Sequence, residues 1–146
     1  MNALCSQDVN YLVFKKKEDC FNNKTSVELN NEREMLVMKT SYFAKYRGEQ
    51  GVCISLYPPK FFKGKHYKEL APTPLLIKQY KEGQIDEQEY EQIYRQTVLA
   101  KLDAQIVYDE LKDTVLLCFE RSDTFCHRQI VAKWIKEELN IVVEEI

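Results

Sequence analysis

Thr114-Val115-Leu116-Leu117-Cys118-Phe119 is an unbroken apolar run, closed by the polar stretch Glu120-Arg121-Ser122-Asp123. Six apolar residues without alternation suit a strand buried on both faces, as in parallel sheets. Beyond the polar stretch, Ile130, Val131, Trp134, Ile135 and Leu139 fall on one helical stripe. Asn140 is a suitable stop for that helix, and Ile141-Val142-Val143 reads as a further strand. Strand, helix and strand over 114–143 predict a βαβ unit with a right-handed crossover. The fold class that follows is α/β, a Rossmann-like parallel or mixed sheet flanked by helices.

Upstream segments agree with that reading. Asp86 and Glu89 have the spacing of a capping box, and Tyr90, Ile93, Tyr94, Thr97, Val98 and Leu102 continue from it as one stripe. Core packing explains this stripe, and Trp134, without a cofactor. Asp103 is placed to cap a further turn carrying Ile106, Val107 and Leu111. Pro74 suits the first turn of a short helix that Gly83 ends. Val52-Cys53-Ile54-Ser55-Leu56-Tyr57 reads as a strand stopped by Pro58-Pro59, since proline cannot donate to a ladder. Residues 60–74 read as a loop. Met35-Leu36-Val37-Met38 reads as a buried strand running into Thr40-Ser41-Tyr42-Phe43. Residues 1–33 form a peripheral segment, with a hairpin expected around Tyr11–Phe14 and Asn22-Asn23, and 34–146 form the α/β domain.

The chain has 146 residues, 45% hydrophobic and 30% charged, with a net charge of −2. That is one domain with enough apolar material for a core, and no global attraction to polyanions. A membrane span and a signal peptide are not expected, because no run of about 18 apolar residues occurs and the N-terminus has neither a basic start nor an apolar centre. The five cysteines, Cys5, Cys20, Cys53, Cys118 and Cys126, read as reduced thiols of a cytoplasmic protein. The sequence calls for no cofactor.

In open α/β sheets ligands bind outside the carboxyl ends of the strands. That rule selects Thr40, Ser41 and Tyr42, then Ser55 to Tyr57, then Cys118 to Arg128. In the last group Cys126, His127 and Arg128 stand at a helix start, where free N–H groups and the helix dipole lower a thiol pKa. Cys126 is a candidate nucleophile with His127 or Glu120 as its acid/base partner. Arg128 suits a phosphate or carboxylate, as do Lys60 and Lys63, and Ser55 and Tyr57 can donate to a ligand. Cys118, Cys126 and His127, with or without His66, form a weaker alternative as zinc ligands, because paired C-x2-C spacings are missing. Ordinary readings stand beside these: a thiol at a strand end as core packing, a Glu near an Arg as a structural ion pair. The loop Lys60–Lys68 interleaves four lysines with three aromatic rings and one histidine and holds no acid, a pattern that suits single-stranded nucleic acid as well as a solvated loop.

Leu116-Leu117-Cys118-Phe119-Glu120, then Phe125-Cys126-His127-Arg128, then Val131-Ala132-Lys133-Trp134-Ile135 resemble the LLCxE and CHR signature of the bacterial domain-of-unknown-function 488 family. Ile54–Gly64, Leu70–Leu76 and Glu87-Gln88-Glu89-Tyr90 resemble further segments of that family, in the same order. The resemblance spans about residues 34–139 and implies a Rossmann-like α/β fold. It implies that Cys118, Glu120, Cys126, His127 and Arg128 form the characteristic motif, and it supplies no substrate. The residues themselves point to a pocket for a nucleotide or other phosphorylated small molecule, in a hydrolase or transferase. The competing expectation is a non-catalytic nucleic-acid-binding or protein-interaction module using the loop 60–68.

Overall fold

The structure, a computed structural model, describes residues 37–146. The hairpin expected within 1–33 and the Met35-Leu36 start of the first strand lie outside those residues.

Five strands form one sheet: β1 (Lys39–Tyr42), β2 (Gly51–Cys53), β3 (Lys65–His66), β4 (Val115–Cys118) and β5 (Glu144–Glu145). The order is β3-β2-β4-β1-β5 and every pairing is parallel. β4 lies at the centre, and all four of its residues are buried, as its unalternating sequence requires. The βαβ unit is present, with β5 seated beyond β1 rather than next to β4.

Four helices connect the strands: α1 (Pro74–Lys81), α2 (Glu87–Thr97), α3 (Ala104–Leu111) and α4 (His127–Leu139). Their ends follow local chemistry. Thr73 caps α1 ahead of Pro74. Both arms of the Asp86/Glu89 capping box are formed at α2, at 2.8 and 3.0 Å. Asp103 accepts from the backbone N–H groups of Gln105 and Ile106 at the start of α3. Asn140 ends α4 in the left-handed conformation, φ 57°, a cap geometry that asparagine tolerates.

All four helices contribute to one large core with Val52 and Leu116 of the sheet and with Met38 and Ile54, which flank β1 and β2. Full burial of a side chain such as Leu116 stabilises the fold by about 1.5–3 kcal/mol. The other face of the sheet carries a smaller cluster of Phe43, Cys53, Val115 and Leu117, joined by Tyr46, Phe62 and Ile146. Among the described residues no helix is long and apolar enough to cross a membrane.

Three expectations need correction. β2 ends at Cys53, short of Pro58-Pro59, because the Ile54 and Ser55 carbonyls are taken by His127 and His66 side chains rather than by a strand. The stretch 60–74 is not all loop: it holds β3 and a 3-10 turn at Lys68–Leu70. The last strand is Glu144–Glu145, not Ile141–Val143. Ile141 and Val143 pack against the core instead, and the ladder with β1 begins at Glu144.

Candidate functional site

Cys118 is the last residue of β4 and Glu120 lies two residues on. Cys126 is the N-cap of α4, with His127 and Arg128 as its first helical residues. The strand end and helix start therefore meet, and the motif becomes one connected network.

His127 organises it. Its Nε2–H donates to the Ile54 carbonyl at 2.8 Å, since a carbonyl can only accept. Nδ1 is thereby turned to the two thiols, 3.7 Å from Cys118 Sγ and 3.7 Å from Cys126 Sγ. The edge of the buried Tyr94 ring packs on the imidazole, with ring centres 5.7 Å apart, and the Tyr94 hydroxyl is anchored on the Leu70 carbonyl at 2.6 Å. One Glu120 oxygen lies 3.0 Å from Cys118 Sγ, whose single proton serves Glu120 or Cys126, and 3.4 Å from Cys126 Sγ, which donates to it only as a thiol.

The two cysteines are driven apart electrostatically. A hydrogen bond from Cys118, aided by His127 and the Arg128 backbone N–H and opposed by burial, lowers Cys126 to about 5. The same bond to Cys126, with burial and the Glu120 charge, pushes Cys118 well up. Burial pulls His127 down, but its bond to Cys126 more than offsets this and raises it. Burial also opposes charge on Glu120, yet hydrogen bonds, that from Cys118 foremost, hold it below its ordinary value. These directions favour a Cys126 thiolate, hold a proton on His127 more firmly than on a free imidazole, and keep Cys118 as a thiol.

Arg128 is fully buried, at 0% exposure. One guanidinium nitrogen donates to the Glu120 carbonyl at 2.6 Å and another to Glu145 of β5 at 2.9 Å. Its carbon lies 5.9 Å from the centre of the Tyr42 ring, and its Nε has no partner among the described residues. Arg128, expected to hold an anion, ties the Glu120 loop to the sheet edge here and is not among the lining residues of either cleft described below.

A cleft of about 690 Å³ opens outside the carboxyl ends of β2 and β4. Cys118, Glu120, Cys126 and His127 line it, together with Ser55, Tyr57, Tyr80, Tyr90, Phe119 and Phe125. Tyr80, Tyr90 and Phe125 form a ring wall with centres 5.3–5.5 Å apart. Lys78 and Lys81 of α1 stand at its lining too, and both are exposed.

Other sequence candidates fall elsewhere. Thr40 and Ser41 are buried inside the sheet, and the Ser41 hydroxyl donates to the Ile146 carbonyl at 2.8 Å; neither lines the cleft. Ser55 does line it, but its hydroxyl donates to the Tyr57 carbonyl at 3.2 Å. Lys63 lines a second cleft, and Lys60 is exposed outside both. His66 does not join the cysteines; its Nε2–H is committed to the Ser55 carbonyl at 2.8 Å. Lys78, Tyr80 and Lys81 of the cleft lining carry no signal in the sequence, and Phe125 stands there only as part of the motif. Tyr90 reads in the sequence as core alone, whereas Tyr90 is both core and cleft wall. The stripe pattern carries no sign of that second role.

Cys118 Sγ, Cys126 Sγ and His127 Nδ1 lie within 4.8 Å of one another, close enough for a thiophilic cation such as zinc. Both sulfurs coordinate as thiolates, so binding such a cation would release the Cys118 proton.

The chain belongs to the DUF488 family: the family model DUF488-N3a, the active DUF488-N3 subclade, matches residues 39–139. The match runs from the start of β1 to the end of α4. No curated protein and no solved structure matches the chain.

Proposed function

We propose that this DUF488-family protein is a cytoplasmic enzyme, a hydrolase or transferase, whose cleft takes a nucleotide or a similar phosphorylated planar ligand and whose nucleophile is Cys126. The observation that carries the proposal is the Cys126–His127–Ile54 chain on the floor of an aromatic cleft at the strand ends. A nucleophile beside a base that is itself oriented by a third group is the arrangement of covalent catalysis. The family model's description as an active subclade accords with a site that carries chemistry.

The wall of Tyr80, Tyr90 and Phe125 suits a base or other planar group, and Lys78 and Lys81 suit its phosphate. The Cys126 sulfur bonds to the electrophilic centre as the bond to the leaving group breaks. His127 Nδ1–H gives its proton to that group. Glu120 then takes a proton from the water, or from the acceptor, whose oxygen displaces the sulfur. Its proton returns to His127 through solvent, which restores the starting state.

The test is alkylation of Cys126 by iodoacetamide, followed by mass spectrometry, with and without added mononucleotides. Saturable protection by a nucleotide, lost on Tyr80→Ala, supports the proposal. Unchanged alkylation at millimolar nucleotide contradicts it. Metal analysis of the purified protein separates the zinc alternative: a stoichiometric metal lost on Cys118→Ser would replace the nucleophile reading.

A further inference from the structure

The second cleft, about 900 Å³, lies against the first. Phe43, Tyr46, Arg47, Phe61, Lys63 and Phe119 are among its lining residues, and Phe119 lines both clefts. Large rings stand open to solvent along this path: Tyr57 is 72% exposed, Phe61 69% and Phe119 51%. The Phe43 ring lies beneath two of them, centred 6.2 Å from Phe61 and 5.1 Å from Phe119. Two exposed phenylalanines from loops far apart in sequence, held on one buried ring, form a platform rather than scattered surface residues.

Charge accompanies the platform. Residues 43–65 hold five bases, Lys45, Arg47, Lys60, Lys63 and Lys65, against one acid, Glu49, in a chain whose net charge is −2. All five bases are exposed. None makes an ion pair among the described residues. Arg47 donates to the Phe43 and Tyr46 carbonyls and Lys65 lies over the Tyr67 ring, and interleaved rings and exposed bases match a chain of bases and phosphates; an acidic peptide would use the charges and leave the rings without partners.

We infer that the second cleft binds single-stranded nucleic acid, so that the ligand of the first cleft is one nucleotide of a strand. The inference rests on the proposed nucleotide reading of the first cleft and specifies its substrate class. One nucleotide enters between Tyr80 and Phe119, its neighbour stacks on Phe119 and Phe61, and Lys63, Lys60 and Arg47 take the phosphates.

Fluorescence anisotropy with labelled DNA and RNA 12-mers, single-stranded and duplex, tests it against mononucleotide binding measured by Cys126 protection. The expected result is single-strand binding at least tenfold tighter than mononucleotide binding, weakening as salt rises. Phe61→Ser with Lys63→Glu should reduce oligonucleotide affinity at least tenfold. Mononucleotide protection and the Cys126 alkylation rate should not change, because neither residue lines the first cleft. Binding no tighter than that of the mononucleotide, or equal affinity for duplex and for heparin, would overturn the inference. So would an unchanged oligonucleotide affinity in the variant. If oligonucleotides bind as expected but mononucleotides give no protection, the strand surface stands and the nucleotide reading of the first cleft fails.

Discussion

Cys126 and Arg128 stand two residues apart in the first turn of one helix and do opposite work. Cys126, held down to about 5 by its bond from Cys118 and by His127, lines the cleft. Its thiolate fraction rises as pH rises through that value and is complete by neutrality, so alkylation should be nearly flat from about pH 7 to 9, whereas an ordinary thiol with a pKa of about 8.5 climbs roughly 25-fold over that range. His127→Ala removes the imidazolium and should move the midpoint upward; stopped alkylation rates across pH 4–10 would show both. Arg128 is buried with the Glu120 carbonyl and Glu145 as partners. Arg128→Ala should cost about 3–5 kcal/mol in denaturant unfolding, since it strands a carboxylate and a carbonyl. A cost under 1 kcal/mol would mean that the strut carries no load. The five motif residues were legible in the sequence, and their division of labour was not. A charged residue at a helix start reads as exposed, and only the return of the chain to Glu145, 17 residues later, buries it.

At the scale of elements, strong local signals fixed boundaries and weak ones did not. The Asp86 box, the Asp103 cap, Pro74 and Asn140 each stand where the helix ends lie. Asp86→Ala should lower stability by about 1 kcal/mol in thermal or urea unfolding, with no effect on Cys126 alkylation. β3 escaped notice because two polar residues, Lys65 and His66, have no periodicity to read. β5 was displaced because burial pulled Ile141 and Val143 onto the core, and hydrogen bonding to β1 chose Glu144 and Glu145. The premature end of β2 has a functional consequence. Freed from the ladder, the Ile54 carbonyl orients His127, and the Ser55–Tyr57 stretch bends away to line the cleft.

For the described part of the molecule, the all-parallel sheet puts every strand's carboxyl end on one side. The reactive floor, the ring wall and the α1 lysines gather there, with Phe43 and Phe119 just beyond β1 and β4, while the second cleft continues to Tyr46 beside Gly51 at the start of β2. The rule that ligands meet open α/β sheets at that edge directed attention to the same edge from sequence. It did not separate the two clefts, because which loops face each other depends on the order β3-β2-β4-β1-β5, and no local pattern encodes that order. The central claim is that a nucleotide occupies the cleft above a reactive Cys126. The most direct measurement is the rate of Cys126 alkylation at pH 7.5, titrated with nucleoside mono-, di- and triphosphates. The account predicts saturable protection of at least tenfold, weakened in Lys78→Ala/Lys81→Ala and absent in Tyr80→Ala. A rate unaffected by any nucleotide, from a Cys126 that alkylates no faster than an ordinary thiol, would contradict it.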